Sequence, residues 1–200
     1  GLRLVIDGAE QRRNYSLSAP SNGESLRISV KRESGGKASN HLHDTVKEGD
    51  TLQVFPPAGN FTLKETDRPL VLISGGVGIT PTLPMLQAAL QGDREITFIH
   101  CARERGVHAF REQIDTLAKQ HPQLTRHYCY DHATADDDVS AQGLLTARQL
   151  GDWLPASRNA AVDFRGPRGF MRSVKQSLAQ LGVPQEQVHY EFFGPAEALD

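Results

Sequence analysis

Leu70-Val-Leu-Ile-Ser-Gly-Gly-Val-Gly-Ile-Thr-Pro81 decides the fold. An apolar run stops abruptly in glycines, and Pro81 then opens a helix. Such a run reads as a strand buried on both faces, the mark of a parallel sheet. Gly75, Gly76 and Gly78 remove side chains that would keep a ligand from the backbone. Pro81 suits a first helical position, where its missing N–H is not needed. The helix start then offers free N–H groups and the positive end of a dipole to an anion. The match to a dinucleotide fingerprint is imperfect, since Gly76-Val-Gly78 is followed by Ile-Thr-Pro81 and not by a third glycine. Glycine turns of this kind also serve packing alone.

Downstream the same style continues. A helix is predicted over 82–90, a buried strand over 96–99 and a helix over 108–119. That helix places Phe110, Ile114, Leu117 and Ala118 on one side. A strand over 125–130, an acidic solvated loop over 131–139 and a short helix over 147–154 follow. A strand over 160–164 runs into a second glycine turn, Gly166-Pro167. A helix over 170–181 and a strand over 188–193 close the pattern. Strands alternating with helices predict a doubly wound parallel sheet, with ligands beyond the strands' carboxyl ends. Both glycine turns fall at such ends.

Upstream the chain reads as β. Strands are expected over 2–6, 14–18, 25–30, 51–55 and 61–63, with dense turn signals between them. Ser39-Asn40 is a candidate cap for a short helix reaching Val46. Short strands of this kind predict a small antiparallel barrel. The expected architecture is therefore α/β with two domains, a β-barrel over 1–66 and a nucleotide-binding α/β domain over 67–200.

The 22 Lys and Arg against 24 Asp and Glu give a net charge of −2. That balance points away from nucleic acid and from an anionic membrane surface. No apolar run approaches the roughly 20 residues of a membrane span. No secretory leader is visible at the start, so a cytoplasmic location is expected. Cys101 and Cys129 read as buried free thiols, and two cysteines cannot supply the four thiolates of a common iron–sulfur cluster.

Among polar clusters, Arg13-Asn-Tyr15-Ser16 joins a guanidinium, a ring and a hydroxyl, which suits a flat ring system bearing a phosphate. An ordinary strand with a packed Tyr fits the same spacing. Gly35-Gly36-Lys-Ala-Ser39-Asn40 is a second potential anion nest. The eight histidines show no metal-ligand spacing, and no G-x-S-x-G elbow accompanies Ser16 or Ser74.

Five motifs then occur in order: Arg13-x-Tyr15-Ser16, Gly36-x-x-Ser39-Asn40-x-Leu42-His43, Gly75-Gly-Val-Gly-x-Thr-Pro81, Gly166-Pro167-x-x-Phe170-Met171 and His189-Tyr-Glu191-x-Phe193-Gly194-Pro195. Together they resemble the reductase part of bacterial flavohemoglobins, within the ferredoxin–NADP reductase-like superfamily, along nearly the whole chain. The resemblance implies an FAD site formed by Arg13, Tyr15, Ser16, Ser39 and Asn40. It implies that Gly75, Gly76, Gly78 and Thr80 face NADH or NADPH, flanked by Gly166 and Pro167. Glu191 and Phe193 would lie beside the isoalloxazine. Ser16, Thr80 and Glu191 would be the residues at the chemistry, with no metal.

The implied activity passes electrons from NAD(P)H through FAD to a globin haem for nitric oxide dioxygenation. The haem would belong to a globin domain, fused upstream or separate, that is absent from this chain. Earlier strands of the family's flavin barrel would precede Gly1, leaving the barrel N-terminally incomplete. Arg165 departs from the pattern, because relatives often carry a Cys or an apolar residue before Gly-Pro. A stand-alone flavin reductase, an oxygenase reductase component and a non-catalytic nucleotide-binding module are the alternatives. Past the second strand, Arg103-Glu-Arg105 suits either ribose form, so the choice between NADH and NADPH stays open.

Overall fold

A computed structural model describes residues 1–193. The Gly194-Pro195 pair of the C-terminal motif lies outside the described residues. In the first part, β1 (Leu2–Ile6) turns at Asp7-Gly8 into β2 (Ala9–Arg13). Asp7 and Gly8 have φ values of 51° and 76°, the left-handed pair that a two-residue hairpin with matching twist requires. Helix α1 (Lys37–Asp44) follows, and β3 (Gln53–Val54) pairs with the free side of β1. The result is a three-stranded antiparallel sheet ordered β2-β1-β3. No closed barrel forms among the described residues. The strands expected over 14–18 and 25–30 shrink to one bridge between Leu17 and Ile28, and 61–63 forms none.

The second part is built around β4 (Leu70–Gly75), whose six residues are all buried. Full burial of each Leu, Ile or Val contributes about 1.5–3 kcal/mol, so this strand anchors the core. Helix α2 (Ile79–Ala89), β5 (Ile96–Ala102), α3 (Arg111–Gln120), β6 (Leu124–Tyr130), β7 (Ala141–Gln142), α4 (Ala147–Trp153), β8 (Ala161–Arg165), α5 (Arg168–Gln180) and β9 (Val188–Tyr190) complete it. The sheet runs β7-β6-β5-β4-β8-β9, and every pairing is parallel. Alternation along the strands gives two cores. Leu70, Leu72 and Phe98 meet α2 and α3 through Leu83, Leu86 and Ile114. Val71, Ile73, Ile99 and Phe164 meet α4 and α5 through Leu150, Met171, Val174 and Leu178. This is the doubly wound parallel sheet that the sequence predicts.

Several buried groups in the sheet are polar. Ser74 faces its register partner His100, with Oγ 2.7 Å from Nδ1. The His100 ring lies 4.4 Å from that of His108, whose Nδ1 is 2.6 Å from the Tyr130 hydroxyl. Burial drives both imidazoles below their usual range, His108 to about 3. Asp163 on β8 is wholly buried, and neither carboxylate oxygen meets a donor among the described residues. Burial raises its pKa to about 7, against the opposing charges of Lys64 and Arg94. The acidic loop also differs from expectation. Asp137 is buried and caps a short turn with Thr134, and Arg111 Nη2 donates to the Asp138 carbonyl at 3.0 Å.

Candidate functional site

After β4 the chain builds β5, β6 and β7 on one side, whereas β8 and β9 lie on the other. The connections leaving β4 and β8 therefore diverge, and a crevice opens at their carboxyl ends. Both glycine turns sit there. Gly76, Val77 and Gly78 form a single 3₁₀ turn that runs directly into α2. Helix α2 thus begins at Ile79, and Pro81 lies within its first turn and not at its first position. The preceding 3₁₀ turn brings the N–H groups of Gly76, Val77 and Gly78 to the front of the helical run.

The three glycines serve different ends. Gly76 has φ +51° and nothing within 4 Å of where a Cβ would stand. It alone keeps the turn bare towards open space. A Cβ on Gly78 would stand 2.0 Å from the Arg165 carbonyl oxygen, so this glycine seats the turn on β8. A Cβ on Gly75 would stand 2.9 Å from the Phe170 ring, and one on Gly166 2.6 Å from it. Those two glycines let Phe170 lie across the ends of both strands. Close approach within the protein thus accounts for Gly75, Gly78 and Gly166, whereas Gly76 faces open space.

A cavity of about 520 Å³ opens over this floor. Gly75, Gly76, Thr80 and Pro167 line it, as does Phe170. Thr80 is buried, and its hydroxyl donates to the Val77 carbonyl at 3.0 Å. The first part of the chain contributes Ser29, Val30 and Lys31 to the opposite wall. Phe110, also in the wall, holds φ 61°. That conformation is unusual for a bulky side chain and concentrates at ligand sites. Arg27 crosses from the first part to lie 5.4 Å from its ring. The wall is mostly apolar, with Lys31, Arg103 and Asp131 as its charged members. Its size suits a cofactor.

The other expected residues stand outside this cavity. Arg13 is exposed, with Nη1 donating to the Arg12 carbonyl at 2.7 Å. Tyr15 and Ser16 are half-buried, and burial raises the Tyr15 phenol against the opposing charge of Arg13. Helix α1 begins at Lys37 with Gly36 as its cap. Ser39 therefore lies inside the first turn, where its hydroxyl accepts the Glu33 N–H at 3.1 Å. Asn40 Nδ2 donates to the Gly36 and Glu33 carbonyls at 2.7 and 3.1 Å. Both side chains shape the loop over 33–36 instead of capping the helix.

Glu191 and Phe193 meet at Arg165. A guanidinium nitrogen of Arg165 stands 3.0 Å from Glu191 Oε2, and its ζ carbon lies 3.9 Å from the Phe193 ring centroid. Gly59 of the first part admits Glu191, since a Cβ there would stand 3.2 Å from Oε1. Two residues of this region escape the sequence reading. Phe170 joins the two turns, and its place in Gly166-Pro167-x-x-Phe170 is the signal that identifies it. Asp131 opens the acidic stretch that the sequence presents as a solvated loop. It directly follows β6 and lines the cavity beside Arg103, at the carboxyl end where a parallel sheet binds ligands.

The oxidoreductase FAD-binding domain model matches residues 1–63 and the oxidoreductase NAD-binding domain model residues 72–176. A flavohemoprotein of Pseudomonas putida is 64% identical over the whole chain, which covers 51% of that protein. One of Pseudomonas aeruginosa is 60% identical with the same coverage. The chain thus spans about half the length of these curated relatives. A solved flavohem-like FAD/NAD-binding domain of nitric oxide dioxygenase from Vibrio cholerae is 34% identical, with a TM-score of 0.88, 97% of this chain and 83% of that one being covered. A Malassezia yamatoensis flavohemoglobin, solved with bound FAD and heme, is 27% identical with a TM-score of 0.82, covering 96% of this chain and 50% of that one. No described helix is long and apolar enough to cross a membrane. With its crevice at the switch point and a family model matched on each side of it, the chain belongs to the FAD- and NAD-binding oxidoreductases, as a reductase module of the flavohemoprotein kind.

Proposed function

We propose that this chain passes electrons from a reduced nicotinamide through FAD to a globin haem, within a cytoplasmic protein that converts nitric oxide by dioxygenation. The reading divides the chain into a flavin unit over 1–66 and a nicotinamide unit over 67–200. The globin is either fused upstream or a separate partner. The observation that carries the reading is the cavity at the switch point, because Ser29, Val30 and Lys31 of one unit and Gly75, Gly76, Val77, Ile79 and Thr80 of the other share its walls. Its residues fit the cofactors. Gly76 leaves backbone open to a phosphate, Phe110 and Pro167 offer flat apolar surface to a ring, and Lys31 and Arg103 supply cations.

When bound, the nicotinamide supplies a hydride and the flavin divides its electron pair into single electrons. The chain's own part is to bind and orient. Arg13, Tyr15, Ser16, Ser39 and Asn40 are assigned to FAD. Gly75, Gly76, Gly78, Thr80, Gly166 and Pro167 are assigned to the nicotinamide dinucleotide. Ser16, Glu191 and Phe193 are placed beside the flavin ring, and Thr80 holds the nicotinamide's approach. Protein supplied with FAD should oxidise NADH and reduce ferricyanide, and an added globin domain should accept the electrons. A bound flavin that NADH leaves oxidised refutes the reading.

Thr80 provides a sharper check. Thr80→Val keeps the side chain's shape but removes the hydroxyl that donates to the Val77 carbonyl at the cavity wall. Hydride transfer should slow roughly tenfold while FAD stays bound, in line with the loss of one positioning contact. Unchanged single-turnover rates would remove Thr80 from the mechanism.

Asp131 favours NADH over NADPH. A carboxylate on the rim accepts hydrogen bonds from a ribose diol and repels a 2′-phosphate. Its backbone N–H donates to the Ala102 carbonyl at 3.1 Å, and the His132 N–H donates to the Arg103 carbonyl at 2.8 Å, so the two strand ends share one rim. Asp131→Ala should shrink the NADH-to-NADPH ratio of kcat/KM by about tenfold, the scale of one ionic contact. Arg103→Ala should weaken NADPH more than NADH. A ratio that neither change moves places the ribose elsewhere.

A further inference from the structure

Arg165 ends β8 directly before Gly166-Pro167, and only 8% of it reaches solvent. A charge buried this far requires partners. Nη1 stands 3.0 Å from Glu191 Oε2, and Nη2 donates to the Phe192 carbonyl at 3.2 Å. The guanidinium lies over the Phe193 ring at 3.9 Å and near the Phe61 ring at 5.8 Å. Its Nε has no acceptor among the described residues. The main chain of Arg165 is fixed as well, because its carbonyl occupies the place a Gly78 Cβ would take. One cation therefore joins the floor of the cavity, the segment over 191–193 and the first part of the chain at Phe61.

We infer that Arg165 is a positioning residue of the redox centre: it holds Glu191 and Phe193 in register and cancels the Glu191 charge. The inference rests on the proposed placement of Glu191 and Phe193 beside the flavin ring. Two consequences follow from the contacts. Without the guanidinium, Phe193 and the Phe192 carbonyl lose their common anchor, and the segment after β9 loosens. The Glu191 carboxylate also stands unpaired. Adding electrons to a neighbouring ring adds negative charge, which a lone carboxylate opposes and a neutral ion pair does not. A hydrophobic plug at position 165 would keep the fold closed but provide neither function.

The two roles separate in a set of variants. Hydrogen exchange on the cofactor-free protein reads the anchor, and the midpoint potential of the bound FAD reads the charge. Arg165→Met should speed exchange over 190–193 at least tenfold. It should also lower the flavin potential and slow hydride transfer tenfold or more with FAD still bound. Adding Glu191→Gln to Arg165→Met should bring the potential back towards that of the unaltered protein while exchange stays fast. Arg165→Lys, which keeps the charge but not the fork, should hold the potential and still speed exchange. It also serves if Arg165→Met fails to fold.

Unchanged exchange over 190–193 overturns the anchor. A potential that does not move in Arg165→Met, or that Glu191→Gln does not bring back, overturns the charge role. Because exchange is read without cofactor, it judges the anchor even if the unaltered protein does not oxidise NADH. That latter failure counts against the proposed function and not against the contact.

Discussion

Gly78→Ala should destabilise the protein far more than its neighbour Gly76→Ala does. A methyl on Gly78 would stand 2.0 Å from the Arg165 carbonyl oxygen and 2.5 Å from its carbon. Neither is the end of a flexible side chain. Both belong to β8, which pairs with β4 from Leu70↔Ala161 to Ser74↔Arg165. Relief requires the start of α2 to lift from the sheet or β8 to shift within it. Forcing atoms into a packed site costs typically 1–3 kcal/mol, and obstruction by backbone belongs at or above the top of that range. A loss of about 3 kcal/mol lowers the melting temperature of a chain this size by roughly 6–12 °C. The same lift moves Thr80 and the 3₁₀ turn, so NADH oxidation should fall by about two orders of magnitude, as misplacement near 1 Å does elsewhere.

Gly76→Ala adds its methyl to the open space of the cavity, so its cost in stability comes from φ +51° alone, about 1 kcal/mol, while the methyl stands in the way of the phosphate proposed for this turn. Calorimetry and stopped-flow reduction of the flavin measure both. A Gly78→Ala protein that melts within about 2 °C of the unaltered one would mean that α2 is not seated on β8 as described.

The comparison of these glycines shows how far a sequence can be read. The run from Leu70 declares a buried strand and a turn, because continuous burial leaves no polar position to break the pattern. It does not say which glycine faces open space and which faces Phe170 or Arg165, since those partners lie about 90 residues further along the chain. The antiparallel character of the first part is legible, but its individual strands are not, for a related reason. Alternation over 14–18 and 25–30 marks chain extended along a surface. It does not supply a ladder partner, and only Leu17 and Ile28 find each other. Strand β2 went unseen because Ala9-Glu-Gln-Arg-Arg13 has no apolar rhythm. It forms because Asp7-Gly8 folds it back onto β1, pairing Ile6 with Ala9. That signal is a turn dipeptide and not a strand pattern. Asp131 is a single charge in an unremarkable setting until the sheet brings Arg103 beside it, and Arg165 is only a departure from a motif until Glu191 meets it. The ordered motifs carry the family, whereas only proximity in three dimensions shows which residues meet.

Asp163→Asn should stabilise the protein at pH 8 and make it more sensitive to acid. The Asp163 pKa is about 7 in the folded protein, above its unfolded value of about 3.9. Folding therefore disfavours its charge. Stability is lowest above pH 7 and returns as the pH falls towards 4. The full effect is roughly 4 kcal/mol, of which roughly 2 kcal/mol is recovered between pH 7 and pH 5.

His108 acts in the opposite sense. Its pKa is about 3 in the folded protein, below the unfolded value of about 6.5. The unfolded chain takes up that proton first, so stability held above pH 6.5 is lost as the pH falls towards 3. By pH 5 the loss is about 2 kcal/mol. His100, wholly buried against His108, adds to the loss in the same direction. In the unaltered protein Asp163 offsets the His108 effect between pH 7 and pH 5, and the net decline comes from His100 together with His127 and His189, which burial also shifts down. Asparagine mimics the neutral acid at every pH. The variant should therefore gain up to about 4 kcal/mol at pH 8 and lose about 2 kcal/mol more than the unaltered protein between pH 7 and pH 5. Urea unfolding at pH 5, 7 and 8 reads both quantities. Equal slopes for the two proteins would mean that Lys64 and Arg94 hold Asp163 ionised across this range, and that burial does not control its proton.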